Sequence, residues 1–140
     1  MGGRLGKGFL TAGLVMTLLA AAACSGGPDM GMAQRLVAQY YAAIKAQDFD
    51  GAAQMFAETH NQPRAMWAEE LKDYHKKLGD LEKYRIADTV VNTVFSGTRY
   101  IFKVKTTYSK HPATETVVLF ESVSDDTLHI ENVQIRSRNL

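Results

Sequence analysis

The sequence predicts an α+β domain: three N-terminal helices packed on a curved, four-stranded antiparallel sheet. Three observations carry this. Between Met32 and Leu78 the apolar residues recur at three- and four-residue steps, the period of a helix face. From Leu81 onward the period is two, as on a pleated strand. The helical stretches all precede the strands, and the strands are joined by short turns, so helices segregate to one face of a meandering sheet.

The organisation expected is an export signal over 1–23, a flexible tether over 24–31, and one folded domain over 32–140. Arg4 and Lys7 open the chain, a short apolar run follows from Phe9, and Ala21, Ala22 and Ala23 precede Cys24. That run is shorter than the roughly 20 apolar residues a bilayer span needs. Cys24 is the only cysteine, so it has no intramolecular disulfide partner. Ser25 to Gly31 is rich in glycine with one proline and reads as the tether.

In the first helix, Met32 to Ala46, Leu36, Val37, Tyr40, Tyr41 and Ile44 make one apolar face. Asp48 can cap a second helix from Phe49 to Ala57, because its carboxylate accepts the free amides of the first turn. Pro63 suits the first turn of a third helix, where a missing amide costs nothing. Trp67, Leu71, Tyr74 and Leu78 form that helix's buried stripe, and Gly79 ends it.

The first strand starts at Leu81, with Tyr84, Ile86, Asp88 and Val90 on one parity. Ser96 and Gly97 turn the chain. Tyr100, Phe102, Val104, Thr106 and Tyr108 then alternate with Arg99, Ile101, Lys103, Lys105 and Thr107. The third strand, Thr114 to Ser122, is apolar on both parities in its middle. The fourth, Leu128 to Arg136, shifts apolar parity between Ile130 and Val133, which predicts a bulge near Glu131 or Asn132.

Two resemblances add to this reading. The stretch ending at Cys24 resembles the lipobox of bacterial lipoproteins, with Ala21 where that family usually has Leu. The resemblance implies acylation of Cys24 by a diacylglyceryl group plus an N-linked chain such as palmitate. Several chains hold a protein to a bilayer durably, whereas one holds it marginally. Ser25 after the cysteine resembles lipoproteins bound for the outer membrane of double-membrane bacteria, which implies an envelope protein facing the periplasm. Ordinary cleavage after Ala23 to a soluble exported protein is the alternative. The helix and strand order over about 32–138, with Trp67 to Leu71, Leu78-Gly79 and Glu115-Thr116-Val117, looks like the nuclear transport factor 2-like superfamily, a cystatin-like cone. Its small envelope branches are uncharacterised.

Charge narrows the partners. Removing Arg4 and Lys7 takes the 16 basic residues to 14, against 15 acidic ones, so the mature chain is near −1. No basic excess is available to neutralise phosphates along a nucleic acid. There is no glycine-rich phosphate loop and no histidine pair at helical spacing; His60, His75, His111 and His129 are scattered, so no metal and no cofactor is expected.

Three functions stay open. The first is a non-enzymatic binding or interaction module held to the bilayer through acylated Cys24. A cone walled by Tyr40, Tyr41, Trp67, Tyr74, Tyr100, Phe102 and Phe120 would take a small apolar ligand. The second is a small isomerase or hydro-lyase-like enzyme. Ketosteroid isomerases of the superfamily pair a carboxylate base with a phenolic donor. The resemblance implies Asp88 as the base, since it is the carboxylate on an apolar strand parity. The third is a structural subunit of an envelope assembly. It would use Ile101, Val117 and Leu119 as an outer apolar patch, opposite in parity to core-facing Phe102, Val118 and Phe120, for a protein partner or a homodimer.

Overall fold

A computed structural model describes residues 27–138 and 140. The expected signal and Cys24 lie outside the described residues. The elements are α1 (Met30–Lys45), α2 (Phe49–Ala53), α3 (Arg64–Leu78), β1 (Leu81–Val94), β2 (Gly97–Tyr108), β3 (Pro112–Ser122) and β4 (Leu128–Arg136). This is the α+β architecture the periodicity predicts.

Each helix starts and stops for a local reason. α1 begins two residues earlier than expected, inside the presumed tether, because the Asp29 carboxylate accepts the Met32 amide at 2.9 Å. Asp48 does the same for α2 through the Gly51 amide, also at 2.9 Å. α2 is shorter than expected: after Ala53 the chain leaves the helix, and Met55 to Ala57 bond to Ile130 instead. Pro63 precedes α3, and Gly79, at φ 87°, closes it.

The sheet is an antiparallel meander in the order β1-β2-β3-β4. Its inner face is covered by the helices. Val37, Tyr40, Tyr41, Trp67, Leu71 and Leu78 enter one core with Tyr100, Phe102, Val104, Val117, Leu119 and Ile130. Phe56 stacks on Trp67 with ring centroids 4.2 Å apart, which fastens the α2–α3 connection to α3. The anticipated β4 bulge is present: Val118 faces Asn132 and Leu119 faces Ile130, leaving Glu131 as the extra residue.

The third strand departs from expectation. Phe102 pairs with Val117, Tyr100 with Leu119, and Ile101 with Val118. Val117 and Leu119 are therefore buried in the core, while Val118 and Phe120 lie on the outer face with Ile101. The proposed Ile101–Val117–Leu119 patch does not exist. The reason is the β2–β3 connection. Thr107 pairs with Pro112, so an even number of residues lies between them. Even-numbered residues face inward on β2, so odd-numbered ones must face inward on β3.

The two edges of the sheet differ. β4 is covered by the Met55–Ala57 segment: the Ile130 amide donates to the Met55 carbonyl at 2.8 Å, and the Ala57 amide to the Ile130 carbonyl at 2.9 Å. β1 is the other edge strand, and Val90, Val91 and Val94 are exposed along it. At the turn after it, Phe95 is fully exposed.

Candidate functional site

Burial of Glu115 is the least expected feature of the interior. It sits on the inner parity of β3 with no exposed surface. The Tyr41 hydroxyl, from α1, donates to its Oε2 at 2.8 Å, and the Tyr108 hydroxyl, from the end of β2, donates to its Oε1 at 2.6 Å. Tyr41 is held by stacking on Tyr84, with centroids 4.3 Å apart, and by an edge contact with Tyr40 at 5.0 Å. Among the described residues no buried side-chain polar atom lacks a hydrogen bond. Burial pushes the Glu115 carboxyl above its usual range, against the hydrogen bonds from Tyr108 and Tyr41. Burial also raises the Tyr41 and Tyr108 hydroxyls, with Glu115 adding to the effect, so both phenols stay protonated donors.

This cluster has the parts of an acid–base site, enclosed in the core with its carboxylate fully buried. The neighbouring void, between Tyr40, Phe49, Leu71, Tyr74, Tyr108 and Ile135, is about 10 Å³. That is the space of about one water. Of the expected pocket walls, Tyr40, Tyr41, Trp67, Tyr100 and Phe102 are core packing and Tyr74 is half-buried, its hydroxyl bonded to Glu70 at 3.0 Å. Phe120 is not a wall at all. It lies on the outer face, where the Arg99 guanidinium sits 5.4 Å from its centroid and pairs with both Glu131 oxygens at 2.7 and 2.9 Å.

Asp88 is not in the interior. It is exposed beside a bulge at Ala87, and its Oδ1 accepts the Thr89 amide at 2.9 Å. The bulge turns the strand so that Asp88 pairs with Lys103 on the outer parity. The carboxylate–phenol pair sought at Asp88 is instead built from Glu115. Its signal was present in the alternation Ala113, Glu115, Val117, Leu119, which becomes legible once the β2–β3 register is known.

The outer face carries a second feature that periodicity did not single out. Arg85, Lys105, Thr114 and Arg136 stand opposite one another across the four strands. At that end of the sheet an open groove of about 860 Å³ runs over Lys105, Thr107, His111, Thr114, Arg136 and Arg138. Among the described residues, no acidic one lines it. Among the described residues, Arg85, Lys105, Arg136 and Arg138 make no ion pair, although Arg136 reaches Gln134 at 3.4 Å. Like charges placed directly opposite, as Arg85 and Lys105 are, cost stability rather than add it.

No family model matches the chain, and no curated protein matches it. Solved structures do. A Nostoc punctiforme protein of unknown function with a cystatin-like fold superposes with a TM-score of 0.57 at 7% identity, over 75% of this chain and 87% of that one. An NTF-2-like protein of unknown function from Silicibacter pomeroyi gives a TM-score of 0.53 at 13% identity, over 77% and 94%. Bdellovibrio bacteriovorus Bd1075 gives 0.53 at 14% identity over 76% of this chain, which spans 40% of that protein's length. Identities this low speak for the fold alone: the chain has the nuclear transport factor 2-like, cystatin-like α+β fold.

Proposed function

We propose that this chain is a lipid-anchored protein of the bacterial envelope, facing the periplasm, and that it works as a non-enzymatic binding module. The observation that carries the binding reading is the contrast between a filled interior and an open basic groove. The core leaves a void of about 10 Å³, whereas the outer face offers about 860 Å³ edged by Lys105, His111, Arg136 and Arg138. A groove with several cations and no acid suits a ligand bearing phosphate or carboxylate groups, since charge-assisted hydrogen bonds are the strong ones. The chain's near-zero net charge makes this a local site, distinct from a general polyanion surface.

The groove is tested by titrating inorganic tripolyphosphate into the protein. Lys105→Glu combined with Arg136→Glu is expected to weaken binding about tenfold or more, which corresponds to about 1.4 kcal/mol. Equal affinity in the variant sinks the groove as the site. The anchor is tested separately. Cys24→Ala is expected to move the protein from the membrane fraction to the soluble periplasmic fraction, and unchanged membrane retention sinks the anchor.

The filled interior also favours a second reading, a structural subunit of an envelope assembly. Its contact face would be Ile101, Val118 and Phe120 on the outer sheet. Gel filtration of Val118→Asp against the parent chain tests it: a stable assembly is expected to fall to monomer, and a parent chain already monomeric removes the homodimer.

A further inference from the structure

The turn after β1 and the turn before β4 form a projecting apolar tip. Phe95 is fully exposed, Val94 is 44% exposed and Val123 is 66% exposed. The two turns are tied together, because the Val123 amide donates to the Ser96 carbonyl at 3.2 Å. An exposed phenylalanine flanked by two exposed valines is an unusual outlay of apolar surface on a chain with a filled core.

The N-terminal end of the domain lies at the same end of the sheet. Lys45, at the C-terminal end of α1, donates to the Glu82 carbonyl at the start of β1 at 3.3 Å. The N-terminal end of α1 therefore points toward the other end of the sheet, where Asp29 acts electrostatically on the Tyr100 hydroxyl, which itself donates to Glu121 at 2.6 Å. Glu121 pairs with Thr98, next to Gly97 and the β1–β2 turn. Four residues lie between Cys24 and Asp29, and the five backbone steps that join them reach at most about 18 Å. A lipid on Cys24 would therefore hold this end of the sheet against the bilayer and no other.

We propose that the Val94–Phe95 and Val123 turns insert into the headgroup region of the bilayer that carries the anchor. This rests on the reading that Cys24 is acylated. The occupant is the lipid surface itself. Among the described residues, Asp125 and Asp126 follow Val123 closely in the chain, and Arg99 is already paired with Glu131. Contact is thus apolar insertion, as for interfacial anchors, and it does not require anionic lipid. Insertion at this end has a consequence for the groove. Lys105, His111 and Arg136 lie at the opposite end of the strands, so the groove would point away from the membrane into the aqueous space.

The test uses the full chain, processed in cells and reconstituted in phosphatidylethanolamine–phosphatidylcholine vesicles. With the Cys24 sulfur acylated, Phe95→Cys provides the single free thiol for an environment-sensitive fluorophore. Lys83→Cys, at the far end of the same strand, is the control; β1 has 14 residues, and at about 3.3 Å each it spans roughly 45 Å. The expected result is blue-shifted emission from the Phe95→Cys probe that brominated acyl chains quench, with water-like, unquenched emission from the Lys83→Cys probe. Water-like emission at both positions overturns the proposal. So does a blue shift at position 95 that bromolipid leaves untouched and dilution abolishes, because the tip is then buried in a second copy. The intact mass of the mature chain separates the two claims. An unacylated Cys24 removes the anchor and the insertion with it, whereas acylation without quenching removes insertion alone.

Discussion

Glu115→Ala is expected to destabilise the fold by about 2–4 kcal/mol, while Glu115→Gln leaves it close to the parent. Alanine orphans two buried donors, the hydroxyls of Tyr41 and Tyr108, and leaves a hole where the side chain was. Each orphaned donor costs about 1–3 kcal/mol, partly offset because no carboxyl remains to be desolvated. Glutamine keeps the shape, accepts from one phenol through its carbonyl and donates to the other through its amide. Urea unfolding at constant m-value is the measurement. Alanine and glutamine variants of equal stability would mean that the two hydrogen bonds contribute nothing.

The same carboxyl sets a pH dependence with a definite sign. Its folded value is raised above the ordinary 4.5 by burial. Below 4.5 both states are protonated and the full stability is present. As pH rises past that point, the unfolded chain releases its proton first, and stability falls until the folded carboxyl ionises as well. The slope is at most about 1.4 kcal/mol per pH unit for one proton. Glu115→Gln is expected to remove that decline. A parent chain and variant with parallel stability profiles above pH 4.5 would show that Glu115 does not titrate with folding.

Gly97→Ala is expected to cost about 2–4 kcal/mol, from overpacking together with backbone strain. A methyl group there would collide with the Glu121 carbonyl and come within 2.7 Å of the Phe120 ring. The carbonyl belongs to the paired backbone of β3 and cannot swing aside. At φ 158°, Gly97 also lies where side-chain-bearing residues rarely sit. For a domain of this size the melting temperature should fall by roughly 10–20 °C. Ser96→Ala, one residue earlier and exposed, is the control and should change little. A Gly97→Ala chain that melts with the parent would mean that the β1–β2 turn has slack.

Several elements were legible from spacing alone because one physical requirement governed each. The faces of α1 and α3 follow from burying Val37, Tyr40, Tyr41 and Trp67, Leu71, Leu78 on one side of a helix. β2 alternates cleanly because only one of its faces meets the core. The Glu131 bulge was visible as a break in apolar parity. β3 was different. Val117, Val118, Leu119 and Phe120 satisfy either parity, so hydrophobicity did not distinguish the faces, and the largest side chain, Phe120, pointed the expectation inward.

Sequence periodicity determined the fold class and the order of elements, and composition determined that the chain as a whole carries almost no net charge. Those properties depend on neighbours along the chain and on total charge, both of which are local or additive. Tertiary structure alone decided which face of β3 is buried, that Glu115 rather than Asp88 meets the tyrosines, and that the cone is filled. These depend on register between strands and on how volumes fit across the core, quantities that exist only once distant segments are brought together.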